Sequence, residues 1–107
     1  MRLNVMKQEM DQNVDKAAAF LSGLASPHRL RILCNLVDGE KSVTELIEET
    51  GIAQTSMSQH LNKLKDEGIV SFRREHRVLY YTIINPLVLE IMGAMYNHFC
   101  NKKDKKK

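Results

Sequence analysis

The sequence contains only two cysteines, and no apolar run approaches the roughly 20 residues that cross a bilayer. Met1–Met10 also lacks the apolar segment of a secretory signal peptide. These absences argue against a disulfide-rich secreted scaffold and a membrane-spanning chain, so we expect a cytoplasmic protein with no membrane partner. In that compartment Cys34 and Cys100 are expected to be thiols with a packing, metal-binding or redox role.

Catalytic and metal-binding motifs are missing as well. The sequence has no C-x-x-C zinc spacing, no Ser/His/Asp arrangement, no glycine-rich phosphate loop and no HExxH. It therefore predicts neither an enzyme nor a protein with a resident cofactor or metal.

The composition is that of one globular domain spanning residues 1–107, with 43% hydrophobic and 27% charged residues. A domain of this size buries a limited core, so an oligomer interface would stabilise it. The net charge is only +3, but basic residues are concentrated in Arg73–Arg77 and Lys102–Lys107. Such clusters fit a polyanionic partner, although a lysine tail is more often simply a solvated chain end.

The most informative stretch is Gly51–Val70, which predicts an amphipathic helix. Four apolar residues recur at helical spacing on one side: Ala53, Met57, Leu61 and Leu64. The other side and its edges carry small hydrogen-bonding groups and one lysine: Thr55, Ser58, Gln59, Asn62 and Lys63. Hydroxyl and amide groups on a helix are suited to reading base edges in the DNA major groove, but this stretch alone fits an ordinary surface helix equally well.

Three helices are predicted before this stretch. The first covers about Asn13–Leu24 and is rich in alanine, whereas residues 1–12 and 101–107 are expected to be flexible. Ser26, followed by a proline, begins the second helix, which ends near Val37.

The third helix begins at a capping box, in which Ser42 is followed three positions later by Glu45, and it ends at Gly51. A turn of about three or four residues leads into the next helix. Two short helices joined this tightly, the second polar on its outer side, form a helix-turn-helix.

The apolar period changes to two after Gly68, and residues 69–73 and 78–83 predict two β-strands. The tip between them has no Gly or Asn-Gly, so we predict a loop of three to five residues and no tight primed turn. A basic hairpin after a recognition helix is a wing, whose arginines would approach phosphates or the minor groove. An ordinary charged hairpin is the alternative.

Asn85 and Pro86 begin a last helix with an apolar stripe too long for so small a core: Val88, Ile91, Met92, Met95 and Phe99. With the alanine-rich first helix it predicts a homodimer face, and its methionines are expected to serve packing. A dimer would present two recognition helices to a palindromic operator.

The predicted fold is therefore mainly α (α+β): a winged helix-turn-helix of five helices with a two-stranded β-hairpin wing, dimeric through the first and last helices. The segments LASPHRLRIL, SMSQHLNKL and RREHRVLYYTI resemble the arsenical-resistance repressor (ArsR) family over Val14–Cys100. The resemblance implies a homodimeric repressor that binds double-stranded operator DNA and responds to metals or redox chemistry. Ala53 stands where the family often has a serine cap, and Thr55 is expected to supply part of that capping.

The expected DNA contacts follow from the helix and the wing. The residues predicted to face bases are Thr55, Ser56, Ser58 and Gln59. The residues predicted to hold phosphates are Lys63, Arg73, Arg74 and Arg77. His60 is assigned to packing or to a backbone contact.

The metal sites typical of the family are not matched. The helix before the recognition helix, VTELIEET, contains no cysteine, and only Glu90 and His98 are available on the last helix. The pair Cys34 and Cys100 instead resembles the sulfide- and persulfide-responsive branch. That resemblance implies that reactive sulfur species join the two cysteines by a disulfide or polysulfur bridge, after which the protein leaves DNA.

The residues themselves support this only in part. Cys34 lies on the apolar face of its helix, where a buried cysteine is commonly just a small hydrophobe. Lysines follow Cys100 closely in the sequence and favour its thiolate form. A disulfide needs the two Cα atoms to lie within about 7 Å of each other, whereas a polysulfur link can bridge a longer distance. Two cysteines slightly farther apart would therefore favour a link that contains additional sulfur atoms.

Other functions remain open from the sequence. A metal sensor could use the cysteines with histidines, of which the chain has four: His28, His60, His76 and His98. A protein-interaction module without a DNA role is possible, and so is an activator of the same fold that displaces a silencing protein.

Overall fold

A computed structural model of the protein describes residues 3–100, which form five helices and a three-stranded antiparallel sheet. In chain order the elements are α1 (Leu3–Leu24), α2 (Pro27–Leu36), β1 (Lys41–Ser42), α3 (Val43–Thr50), α4 (Gln54–Asp66), β2 (Val70–Glu75), β3 (Val78–Ile83) and α5 (Pro86–Phe99). The five helices and the β2–β3 hairpin confirm the predicted winged helix-turn-helix.

Three helix ends, both ends of α3 and the start of α5, lie where side-chain chemistry predicts them. The Ser42 hydroxyl accepts a hydrogen bond from the Glu45 amide at 3.0 Å, and the Glu45 carboxylate accepts one from the Ser42 amide at 2.8 Å. This is the predicted capping box. Gly51 ends α3 at φ 76°, a left-handed conformation that glycine adopts without a Cβ penalty. The amide of Leu87 donates to the Asn85 side chain at 2.9 Å and so caps α5.

The start predicted for the first helix is wrong, because α1 begins at Leu3 and not near Asn13. The early residues are polar but are mostly good helix formers, and no Gly or Pro interrupts them before Gly23. Lys7 and Asp11 form an i,i+4 ion pair at 3.3 Å along this segment. The predicted flexibility of residues 1–12 stays a prediction, and residues 101–107 lie outside the described part of the chain.

The N-terminus of α4 differs from the prediction in two ways. Ala53 is its N-cap residue and is exposed, whereas the sequence pattern had assigned it to the buried side. Within the described residues, neither Ala53 nor Thr55 forms a side-chain capping hydrogen bond. The first turn of α4 therefore has no side-chain acceptor for its free amides.

The wing contains a third, very short strand that the sequence did not indicate. Strand order is β1-β3-β2, and Lys41 and Ser42 lie opposite Tyr81 and Tyr80. A strand of two residues has no periodicity to detect, so only the pairing with β3 defines it.

The predicted three- to five-residue hairpin loop is wrong. Glu75 pairs with Val78, which leaves only His76 and Arg77 in the loop. His76 adopts φ 60°, in the left-handed region where histidine is one of the more tolerant side chains. Strand pairing thus closes a tight turn without glycine.

The core orients α4. Met57, Leu61 and Leu64 are buried against the other helices and the sheet. Burying each of these side chains contributes roughly 1.5–3 kcal/mol, so the opposite, polar face of α4 is held toward solvent. Among the described residues, no helix is long and apolar enough to cross a membrane.

The predicted apolar stripe of α5 is partly used within the protomer. Val88 and Met92 are buried in the core, whereas Phe99 is 65% exposed. Between positions 5 and 24 of α1, the exposed large apolar side chains are Val5, Met6, Met10, Val14 and Leu21.

Candidate functional site

The outer face of α4 presents the side chains that were predicted to face bases. Thr55, Gln59 and Lys63 are four positions apart and exposed, so they lie along one face of the helix. Ser58 is exposed beside them, while Ser56 is half-buried. The residue-by-residue roles of these side chains on DNA remain predictions.

Arg73 on β2 is bound by two carboxylates of the same protomer. Its Nε and Nη2 donate to Glu40 at 2.9 and 2.7 Å, and its Nη1 donates to Glu75 at 2.7 Å. The guanidinium also lies 4.5 Å from the centre of the Tyr80 ring. Hydrogen bonds to Glu40 and then to Glu75 raise the pKa of Arg73, and the bond from Arg73 lowers the pKa of Glu40.

The other two arginines of the wing are exposed at its tip. Arg74 lies near the end of β2 and Arg77 lies in the two-residue loop. Neither forms an ion pair with another residue in 3–100. Their positive charge is therefore available to an anionic partner.

His60 packs as predicted, on the side of α4 that faces α2. Its ring meets the ring of His28 edge-on, with 5.4 Å between the ring centres. Burial, followed by the charges of Arg29 and His28, lowers the pKa of His60.

Arg29 connects the C-terminal end of α1 to the region around His60. Its Nη1 donates to the Gly23 carbonyl at 2.6 Å and lies 3.8 Å from the Glu67 carboxylate. A Cβ on Gly23 would lie 2.6 Å from the Glu67 carboxylate oxygen, so a larger residue there would require the Glu67 side chain to move. The C-terminal ends of α1 and α4 are thereby held together.

Both cysteines are free and exposed, and they line one cavity of about 550 Å³ between α2 and α5. Its other lining residues are largely apolar: Leu30, Val37, Asp38, Met92, Gly93, Met95, Tyr96 and Phe99. Cys34 is thus accessible in the protomer and not a fully buried packing residue. Burial, and then repulsion from the Cys100 thiolate, raises the pKa of Cys34, so the two thiols are close enough to interact.

Two parts of these sites were not predicted from the sequence. Glu40 lies 33 positions from Arg73, and no local pattern connects them. Met92, by contrast, lies eight positions before Cys100, a little over two helical turns, so helical spacing already indicates that both lie toward one side of the chain's last helix.

A helix-turn-helix with a polar second helix, followed by a basic hairpin, defines a winged helix DNA-binding regulator. The comparisons with known proteins agree. Residues 26–71 match the model for "Bacterial regulatory protein, arsR family". The chain is 38% identical over 96 residues to the nodulation protein NolR of Rhizobium meliloti, covering 90% of this chain and 79% of NolR.

Two further relatives complete the comparison. The chain is 37% identical over 93 residues to the transcriptional activator HlyU of Vibrio cholerae, covering 87% of this chain and 86% of HlyU. The crystal structure of the transcriptional repressor BigR from Xylella fastidiosa superposes with a TM-score of 0.82 at 35% identity, covering 88% of this chain and 96% of that one. This protein belongs to the ArsR family of bacterial regulators; it is a DNA-binding transcriptional regulator and not an enzyme.

Proposed function

We propose that this regulator is a homodimeric repressor that leaves its operator when reactive sulfur species link Cys34 to Cys100. The observation that carries the proposal is the shared cavity: the Cys34 thiol on α2 and the Cys100 thiol directly after α5 line the same opening. The operator is proposed to be a palindrome, and binding to chromosomal DNA implies action in the cytoplasm.

The proposed DNA contacts divide between bases and phosphates. Base edges are proposed to meet the first turns of α4, through Thr55, Ser56, Ser58 and Gln59. Lys63 and the wing-tip arginines Arg74 and Arg77 are proposed to hold phosphates. Arg73 is proposed to join them only when a phosphate replaces Glu40, since its donors are already occupied in the protomer.

The proposed dimer is supported by α1. Met10, Val14, Ala17 and Leu21 follow one another at spacings of four, three and four, the pattern of a helix that packs against another helix. Met10, Val14 and Leu21 are exposed in the protomer. A second copy of the chain would cover them and place a second α4 for the other half-site.

The proposed reaction uses an organic trisulfide, R–S–S–S–R, as the oxidant and needs no reductant. The Cys100 thiolate attacks the central sulfur and expels one thiolate, RS⁻, leaving Cys100–S–S–S–R. The Cys34 thiolate then attacks the sulfur next to the Cys100 Sγ and expels a second RS⁻. The product is a bridge with one sulfur atom between the two cysteine sulfurs. Attack is proposed to begin at Cys100, because deprotonation of Cys34 is disfavoured.

The bridge is proposed to act through the position of α5. It draws the C-terminal end of α5 toward α2, and α2 is joined through Arg29 to the ends of α1 and α4. A movement of α1 and α5 at the dimer interface changes the spacing between the two α4 helices, so that they no longer match one palindrome.

The test compares the wild type with Cys34→Ser and Cys100→Ser by operator binding, with and without polysulfide. We expect all three proteins to bind DNA when reduced and only the wild type to release it after treatment. Both cysteines are exposed, so serine should not disturb the core. Release by either variant would refute the two-cysteine sensor.

Intact-protein mass spectrometry identifies the bridge itself. Parallel samples are treated with polysulfide, disulfide or hydrogen peroxide. Polysulfide is expected to add the mass of one or more sulfur atoms with loss of two hydrogens. A product that has lost only two hydrogens would show a plain disulfide and argue against the polysulfur bridge.

A second candidate is an activator, which is favoured by the similarity to the protein named as the transcriptional activator HlyU. Deleting the gene distinguishes the two roles. Transcripts of operator-linked genes rise if the protein is a repressor, and they fall if it activates by displacing a silencing protein.

A further inference from the structure

Four sulfur-containing side chains meet at the cavity between α2 and α5. Cys34 approaches from α2, Met92 and Met95 lie along α5, and Cys100 directly follows the end of α5. Met92 is almost completely buried, at 3% exposure, whereas Met95 is half-buried at the cavity wall. The cavity of about 550 Å³ thus has two thiols and two thioethers in a mostly apolar lining.

The two thiols face the same space across the helix pair. Both thiols belong to the lining of the one cavity. Both side chains are exposed, so a solute can reach them without a change in the fold. An ion held between them would also relieve the repulsion between two thiolates.

The donor set is soft. Thiolates and thioethers select Cu(I) among biological cations, whereas carboxylates and carbonyls suit Mg²⁺ and Ca²⁺. A structural zinc site needs four protein ligands, and within the described chain no group of three or more His, Cys, Asp or Glu residues is placed to bind a metal. Asp38 is the one carboxylate in the cavity lining. A low-coordinate, sulfur-bound ion therefore fits this cavity better than zinc.

We propose that this cavity binds one Cu(I) ion per protomer through the Cys34 and Cys100 thiolates, with the Met95 thioether as a third, weaker ligand. Met95 is chosen because its unbranched side chain is only half-buried and can turn toward the ion. Met92 is packed in the core and forms part of the wall.

Binding is an exchange of protons for the metal and transfers no electrons. Cu(I) and two thiols give a bis-thiolate complex of net charge −1 and two released protons. Binding should therefore weaken as the pH falls, because protons compete with copper for the two sulfur atoms. The site does not depend on the proposed sulfur bridge, although a bridged pair can no longer bind copper because both thiolates are consumed.

The experiment titrates the reduced full-length protein with Cu(I) under anaerobic conditions against a colorimetric Cu(I) chelator. We expect one copper per protomer, with thiolate-to-copper charge-transfer absorption in the ultraviolet. Cys34→Ser and Cys100→Ser should each abolish chelator-resistant binding, while circular dichroism confirms that both variants stay folded.

Methionine variants test the third ligand. Met95→Leu preserves apolar volume and should weaken Cu(I) binding by about 10-fold. Met57→Leu replaces a buried methionine of α4 outside the cavity and should bind as tightly as the wild type. Equal affinity of the Met95 and Met57 variants would overturn the role of Met95.

X-ray absorption spectroscopy at the copper edge gives a readout independent of affinity. Sulfur-only coordination is expected in the wild type, with one scatterer fewer in Met95→Leu. Nitrogen or oxygen ligands, or wild-type affinity no higher than that of the cysteine variants, would overturn the copper site.

Discussion

At the scale of single residues, the surroundings of Arg73 determine what it can do. A free wing arginine would approach a phosphate, but this guanidinium donates to Glu40 and Glu75 at hydrogen-bond distance. A phosphate must displace a carboxylate before it can bind this guanidinium. Arg74 and Arg77 carry no such partner among the described residues. The three arginines are therefore expected to contribute unequally to DNA binding.

Glu40→Gln tests this competition. The amide keeps the size of the side chain and removes its charge, which should free Arg73 for a phosphate. We expect tighter DNA binding and a salt dependence steeper by about one phosphate contact. Anisotropy titrations over a series of salt concentrations measure both. Glu90→Gln, at an exposed position on α5, is the matched control, and weaker binding by Glu40→Gln would contradict the competition.

Gln59 and Lys63 lie one turn apart on α4, and we predict that Gln59 reads a base whereas Lys63 holds a phosphate. Gln59→Ala should cost about 1–3 kcal/mol of discrimination at one base pair. Lys63→Ala should weaken all sequences alike and lower the salt slope by about 1. Binding to the operator and to its single-base variants distinguishes these outcomes. If Gln59→Ala loses affinity equally for every variant, Gln59 does not read a base.

His60 makes folding stability depend on pH. Its pKa in the folded protein lies below the ordinary 6.5, so the unfolded chain binds a proton there first as the pH falls. The stability that neutral His60 contributes is complete above the unfolded-state pKa and decreases until the folded-state pKa is passed. His60→Gln should therefore lose less unfolding free energy than the wild type between about pH 7.5 and 5.5.

Urea denaturation at each pH provides the measurement. His98→Gln, an exposed histidine on α5, controls for the loss of one imidazole. Equal losses in the wild type and His60→Gln would show that protonation of His60 is not linked to unfolding.

At the scale of secondary structure, α4 combines a well-defined buried face with an uncapped N-terminus. Met57 and Leu64 fix its rotation in the core, yet Ala53 offers no acceptor for the first amides. Ala53 has φ −63° and ψ 154°, the extended conformation of an N-cap residue. The backbone of Ala53 thus has the conformation of an N-cap residue, but its side chain has no atom that can accept a hydrogen bond.

Ala53→Ser should stabilise the protein by about 1 kcal/mol, because its hydroxyl can accept a hydrogen bond from the first turn. Urea denaturation gives the free energy of unfolding. Ala18→Ser, at an exposed interior position of α1, is expected to destabilise slightly since serine is a poorer helix former there. If both substitutions change the free energy of unfolding by the same amount, the missing cap of α4 does not lower the stability of the protein.

At the scale of the whole molecule, the protomer is extended for its length. Its radius of gyration is 16.2 Å, compared with about 13 Å for a compact domain of this size. The cause is α1, a helix of 22 residues in which Gly23 and Leu24 are the only buried residues between positions 5 and 24. A long helix with exposed apolar residues and few internal contacts fits an element completed by a second copy.

Leu21→Glu tests that dimer. Leu21 is 53% exposed on α1, and its burial in both protomers would stabilise the dimer. A charge at this position should therefore raise the dimer dissociation constant at least about 100-fold. Sedimentation equilibrium measures the constant. Ile84→Glu changes an apolar residue of equal exposure, 53%, outside the helices. A Leu21 variant as dimeric as the Ile84 variant would exclude α1 from the interface.

Features that depend on neighbours within about four positions could be predicted from the residues alone. These include the capping box of Ser42 and Glu45, the end of α3 at Gly51, and the polar outer face of α4. The physical reason is that caps and helical faces use hydrogen bonds and side-chain directions internal to one element.

Contacts between distant groups became visible only in the folded protein. It paired Glu40 with Arg73, closed the hairpin at His76, and brought two cysteines and two methionines to one cavity. Those arrangements follow from how α2, α5 and the strands pack, which residue spacing along the chain does not encode. Methionines assigned from the sequence to packing therefore became candidate ligands once their neighbours were known.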